Sequence, residues 1–184
     1  MKKYKIIYAD PPWRFGSRGV RSGKFAELDY SDMSTQEICV LNVKKLASKN
    51  SALFMWSTAA HLINDAHLVM KAWGFKPIRV DSVWKKTKKS GLPHAACGPW
   101  GMTDAEFLLM GVRGSMCFRQ KGKRNLYTVV EEPYTGKHSE KPDVFRDRIV
   151  HRFGNKMRKC ELFARAKFEG WDSWGLEVEN DFEF

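Results

Sequence analysis

Seven consecutive residues, Ser51-Ala52-Leu53-Phe54-Met55-Trp56-Ser57, limit what this chain can fold into more than any other stretch. A short continuous apolar run reads as a strand buried on both faces, and two dry faces need helices on either side. The flanking sequence supplies them. Tyr4-Lys5-Ile6-Ile7-Tyr8-Ala9 is apolar and β-prone, a first strand. Ser34-Thr35-Gln36-Glu37 has the capping-box pattern of a helix start; the helix is expected to reach about Ser48, with Ile38, Leu41 and Leu46 inward. A second helix fits residues 60–73, where Leu62, Ala66, Val69 and Trp73 recur at helical spacing before Gly74. Phe75 to Trp84 reads as the next strand, broken at Pro77. The order strand, helix, strand, helix, strand predicts a mostly parallel sheet with right-handed crossovers and helices on both faces.

Downstream, Ala105 to Gly111 and Leu126 to Val130 read as strands. His138-Ser139-Glu140-Lys141-Pro142-Asp143 opens a helix with Pro142 at its first position, Phe145, Ile149 and Phe153 inward and Gly154 at its end. Met157 to Ala164 gives a last strand, and residues 170–175 are turn-rich. Residues 14–33, with Gly16, Gly19 and Gly23 and no apolar period, and residues 85–103 read as long loops, the first a lid. No repeat or linker divides the chain, so its 184 residues form a single domain, 1–184.

No stretch approaches the roughly 20 apolar residues of a membrane span. Met1-Lys2-Lys3 leads straight into the first strand without a signal-peptide core, which predicts a cytoplasmic protein. Cys39, Cys97, Cys117 and Cys160 are widely spaced, and His61, His67, His94 and His151 read as helix or loop surface residues. No metal site is expected. The net charge of +11, from 32 Lys and Arg against 21 Asp and Glu, points to a polyanionic partner, nucleic acid first. The charge clusters in Arg14/Arg18/Arg21/Lys24, in residues 85–89 and in residues 119–124. Such clusters position a phosphate backbone without reading sequence.

The first strand empties into Asp10-Pro11-Pro12-Trp13. In open α/β sheets ligands bind beyond the carboxyl ends of the strands. The two prolines fix the backbone and leave only carbonyl acceptors. A carboxylate and carbonyls beside a large aromatic suit a planar ring bearing an amino group; taken alone, the same residues also fit a strand-ending turn with a packing tryptophan. GxxxxGK[ST] and GxGxxG are absent, so P-loop and dinucleotide-binding readings have no support.

Together with Leu28-Asp29-Tyr30-Ser31-Asp32-Met33-Ser34, Val83-Trp84-Lys85-Lys86, Gly101…Glu106…Gly111-Val112-Arg113-Gly114, the His138–Asp143 motif, Glu161-Leu162-Phe163-Ala164-Arg165 and Gly170-Trp171-Asp172-Ser173-Trp174-Gly175, the Asp-Pro-Pro-Trp motif resembles the DPPW-type N6-adenine methyltransferases. The resemblance runs from about residue 4 to residue 177. It implies a Rossmann-like methyltransferase fold, S-adenosylmethionine as methyl donor and an adenine amino group as acceptor. Catalytic roles fall on Asp10, Pro11, Pro12 and Trp13. Asp10 and the Pro11 carbonyl would hold the amino group, with Trp13 and Tyr30 stacking the base; Arg14, Trp84, Lys86 and Glu106 complete the substrate side. Cofactor contacts fall on Asp10, Ser139, Lys141, Phe163, Arg165 and Glu177. One departure stands out: Leu176-Glu177 replaces the asparagine that often follows the final Trp-Gly. DNA is expected ahead of RNA as substrate, with a catalytically silent nucleic-acid-binding relative as the alternative from another class and a homodimer left open.

Overall fold

The computed structural model describes residues 2–15, 32–98, 101–116, 126–136 and 140–183. Strand β1 (Tyr4–Ala9) pairs in parallel with β2 (Ala47–Ser57) on one side and with β8 (Lys159–Leu162) on the other. On the far side of β2 lie β6 (Ala105–Arg113), β3 (Lys76–Thr87) and β7 (Val129–Pro133); β9 (Asp172–Trp174) closes the opposite edge beyond β8. The order is β7-β3-β6-β2-β1-β8-β9, and among these seven only β6 runs against the rest. A small hairpin, β4 (Ala96–Gly98) with β5 (Gly101–Thr103), stands apart from the sheet.

The double burial expected of residues 51–57 holds at every position. Successive side chains of a strand point to opposite faces, and each face has its own core. Ile7, Leu53 and Met55 join Ile38 of α1 (Thr35–Val40), Leu46 of α2 (Val43–Leu46), and Ala66, Val69 and Met70 of α3 (Asp65–Ala72). Ile6, Tyr8, Phe54 and Trp56 join Trp84 and the Phe145, Ile149 and Phe153 stripe of α4 (Val144–Phe153). No helix among the described residues is long and apolar enough to cross a membrane.

Several boundaries differ from the sequence reading. The capping box forms as expected, Ser34 Oγ accepting from the Glu37 amide at 3.2 Å while Glu37 Oε2 accepts from the Ser34 amide at 2.7 Å. The helix then stops at Val40, because Leu41 turns to ψ 130°, and polar Ser48-Lys49-Asn50 falls inside β2. The second helix is shorter than 60–73, since residues 59–64 are turn. Its close is as expected, with Trp73 buried and Gly74 at φ +83°. Pro142 precedes the N-cap Asp143 rather than opening the helix. β7 begins at Val129, and the turn-rich 170–175 segment contains β9. β3 extends to Thr87, taking Lys85 and Lys86 out of the expected loop.

Candidate active site

Reversal of β6 decides what meets at the working edge of the sheet. β1, β3 and β8 end there, and β6, running the other way, begins there, so that Trp84 pairs with Glu106 and Lys85 with Ala105. Asp10 follows the last residue of β1, Lys86 is near the end of β3, Glu106 is the second residue of β6, and Lys141 comes from the segment before α4. These four side chains form one chain of alternating charge. Lys141 Nζ lies 2.6 Å from Asp10 Oδ2 and 3.2 Å from Glu106 Oε2, while Lys86 Nζ binds Glu106 Oε1. Tryptophans form the floor: the Lys141 ammonium is 5.5 Å from the centroid of Trp56 and the Lys86 ammonium 5.1 Å from that of Trp84. Both distances are within reach of cation–π attraction.

The two carboxylates are not equivalent. Burial pushes the Asp10 carboxyl above its ordinary value; the Lys141 charge pulls it back, and nearby Glu106 adds to the rise. Glu106 is also raised by burial, but it has two ammonium partners, and the Lys141 and Lys86 charges together hold it below the usual value. Lys141 loses solvation, which lowers it, yet Asp10 and Glu106 outweigh that loss and keep it protonated. Asp10 thus shares one cation with a competitor and keeps the higher proton affinity.

The Asp-Pro-Pro-Trp corner is a tight turn. Its Trp13 amide donates to the Pro11 carbonyl at 2.9 Å, and the Met33 amide donates to the Pro12 carbonyl at 2.8 Å. A carbonyl oxygen has two lone pairs, so Pro11 retains acceptor capacity. Trp13 itself is only 6% exposed, its indole N–H donating to the Trp56 carbonyl at 3.1 Å. One face of its ring lies against the ring of His61, with centroids 5.2 Å apart and planes 17° from parallel. The contact with His61 takes one face of the ring, and the indole braces the corner.

His61 is a correction. Expected at the surface, it is buried, with Nδ1 2.9 Å from Thr58 Oγ1 and Nε2 3.1 Å from the Arg14 carbonyl. A carbonyl only accepts, so Nε2 carries the proton and Nδ1 accepts from the Thr58 hydroxyl. Its neighbours Trp13 and Phe15 make it a third strut of the turn. Histidine spacing, read for metal ligands, carried no signal of this; Thr58 three residues before His61 was the available hint.

Other expected substrate residues are engaged elsewhere. Arg14 pairs with Asp32 at 2.7 Å and Glu37 at 3.3 Å, tying the corner to the start of α1. Trp84 is 1% exposed, its indole N–H donating to the Glu132 carbonyl at 2.9 Å, so it supports the site from beneath, against Lys86 and Trp56. Tyr30 and Ser139 lie outside the described residues.

On the β8 side, Phe163 directly follows the strand at φ +62°, an unusual conformation for a residue with a side chain. Its ring meets that of Trp174 at 5.6 Å. The next residue is pressed against the final glycine: the Ala164 amide donates to the Trp174 carbonyl at 2.9 Å, and a Cβ on Gly175 would come within 2.2 Å of the Ala164 carbonyl oxygen. Arg165 Nη1 is 3.4 Å from Glu177 Oε1, so two expected cofactor contacts face each other, while Leu176 is 86% exposed. The donor set on the β1–β8 edge comprises Asp10, Lys141, Arg165 and Glu177. It matches the charges of an amino-acid zwitterion and the hydroxyls of a ribose, so these residues fit S-adenosylmethionine.

The model of the MT-A70 family matches residues 4–177, nearly the whole chain and all four members of the charged cluster. The chain belongs to the MT-A70 family. It is thereby an S-adenosylmethionine-dependent N6-adenine methyltransferase by family. Among its relatives is the type II methyltransferase M.MunI of a Mycoplasma species, 33% identical over 98% of this chain and 80% of that protein. Two fungal proteins named N6-methyladenosine RNA methyltransferase MTA1 are more distant. They are 26% identical in Cryphonectria parasitica and 24% in Pyricularia oryzae, each over 95% of this chain. The chain spans only about half of their length, 52% and 47%.

Proposed function

We propose that this MT-A70 protein methylates the N6 amino group of adenine in DNA, with Asp10 as the residue that receives that amino group. One observation carries the proposal. The Asp10 carboxylate sits at the carboxyl edge of β1, held by Lys141, in a chain that aligns over 98% of its length with a type II methyltransferase. Adenine N6 is a weak nucleophile, because its lone pair is delocalised into the ring. Hydrogen bonds from the amino group to the Asp10 carboxylate and the second lone pair of the Pro11 carbonyl favour a more tetrahedral nitrogen. That is a positioning and electrostatic contribution made by groups already fixed in place. The raised proton affinity of Asp10 suits it to take up the proton that N6 loses.

S-adenosylmethionine supplies the activated methyl group when bound. Lys141 would hold its carboxylate while keeping Asp10 oriented, and Phe163, Arg165 and Glu177 would hold its adenosine end. Ser139 and Tyr30 keep the roles that the family implies. In duplex DNA the target base must leave its stack at a cost of a few kcal/mol. Trp13, braced on one face by His61, would offer its other face to the base. The protein would act in the cytoplasm, and a homodimer is part of this reading that sedimentation would test.

The two fungal relatives favour RNA as the second reading. Transfer of a tritiated methyl group to matched DNA and RNA oligonucleotides separates the two. DNA is expected to be labelled at least tenfold faster, and label appearing in RNA alone would overturn the assignment.

A further inference from the structure

Between Lys86 and Glu106 the chain leaves the catalytic edge and returns to it, making an excursion through residues 88–104. Its base is pinned to the end of β3. The Lys86 amide donates to the Asp104 carbonyl at 2.7 Å, the His94 amide to the Lys86 carbonyl at 3.0 Å, and the Tyr134 amide to the Thr87 carbonyl at 2.8 Å. Thr87 also bridges to Pro93. Backbone hydrogen bonds thus tie His94 and Asp104 directly to the end of β3.

A cleft of about 580 Å³ is lined by Lys88, Pro93, His94, Ala95, Met102 and Asp104. That volume lies within the roughly 300–1,000 Å³ of sites that take small molecules. His94 is backed by Tyr134, with centroids 4.4 Å apart and planes 10° from parallel, so the cleft wall is a two-ring platform. Met102 is 66% exposed. Charge is distributed unevenly along the basic run. Lys85 is paired with Glu131 and Lys86 with Glu106, whereas Lys88 and Asp104 form no ion pair among the described residues. One exposed ammonium, one carboxylate, a stacked ring and an apolar thioether face a single space. That combination matches a nucleotide: the ring for the base face, the carboxylate for an exocyclic amino group, the ammonium for a phosphate.

We propose that this cleft holds a nucleotide flanking the target adenine. Its base stacks on His94, Asp104 accepts from its amino group, and Lys88 binds the adjoining phosphate. The proposal rests on the nucleic-acid methyltransferase reading and adds to it the place where sequence context is read. A carboxylate acceptor favours a neighbour with an exocyclic amino group, cytosine above thymine.

The test uses the full chain and a plasmid from a host lacking adenine methylation, with the neighbours of each methylated adenine read by sequencing. His94→Ala is expected to lower kcat/KM for the plasmid at least tenfold, chiefly through KM, as loss of one stacked base does. His94→Phe, which retains a ring, recovers most of it. Asp104→Asn is expected to shift the base preference at one position beside the target. Cofactor binding by calorimetry stays within twofold of wild type in all three variants. His94→Ala and Asp104→Asn proteins that methylate the same sites with kcat/KM within twofold of wild type would overturn the proposal. A wild-type protein that methylates no DNA would instead overturn the reading beneath it.

Discussion

Asp10 and Glu106 share the Lys141 ammonium, and the sharing sets a testable pH dependence. Burial first, then Glu106, raises the Asp10 carboxyl above 3.8, against the pull of Lys141. A raised folded-state value means that ionised Asp10 costs stability above the unfolded value and that acid relieves this cost. On the role proposed for Asp10, methyl transfer runs the other way, because only the carboxylate would accept from N6. Single-turnover rates at saturating cofactor are therefore expected to fall on the acid side through an apparent pKa above 3.8, a property of the coupled cluster. Replacing Lys141 by Gln removes the opposing charge and is expected to move that limb to higher pH. A limb that stays in place would show that Lys141 does not act on Asp10. The convergence of Asp10, Lys141, Glu106 and Lys86 was legible as a resemblance of motifs. The stacking of His61 on Trp13 was not, because a contact between residues 13 and 61 is set by the fold; locally only the Thr58–His61 spacing hinted at a buried ring.

Helix α4 and strand β8 are joined by a buried pair that the motifs left unexplained. Arg146 grips Glu161 through Nε at 2.8 Å and Nη2 at 2.7 Å, with its guanidinium 3.7 Å from the centroid of Phe168. Burial raises the Glu161 carboxyl despite that partner. Arg146→Met would leave the carboxylate buried without its fork, a loss of about 3–5 kcal/mol. Urea unfolding checks this, and the deficit is expected to shrink as pH falls, since protonated Glu161 needs no cation. A variant as stable as wild type at neutral pH would show the pair to be idle. At this scale the sequence marked most elements and misplaced some ends. The capping box at Ser34 and the Phe145-Ile149-Phe153 stripe are local signals of periodicity and hydrogen bonding, and both held. Strand direction is not a local signal. The apolar run 105–111 reads the same for either direction, yet its reversal as β6 is what brings Glu106 to the catalytic edge.

Across the whole molecule only some of the 32 Lys and Arg are available to a polyanion. Arg14, Lys85, Lys86 and Lys141 are paired with carboxylates inside or beside the site, and Arg146 and Arg152 are buried against Glu161 and Asp81. The count of basic residues could not show this, because pairing depends on the fold. Exposed Lys88 and Lys89 remain facing solvent beside the working edge. Arg18, Arg21, Lys24 and the 119–124 cluster lie outside the described residues. Two faces of packed helices thus support one edge on which two carboxylates, two ammonium groups and a braced turn converge. Mapping of methyladenine in the genome of a host lacking adenine methylation, expressing either the wild-type chain or Asp10→Ala, tests that convergence most directly. Methyladenine is expected with the wild type and absent with Asp10→Ala, while the purified variant still binds DNA within about threefold of wild type. Equal methylation by the two proteins would contradict the role assigned to Asp10.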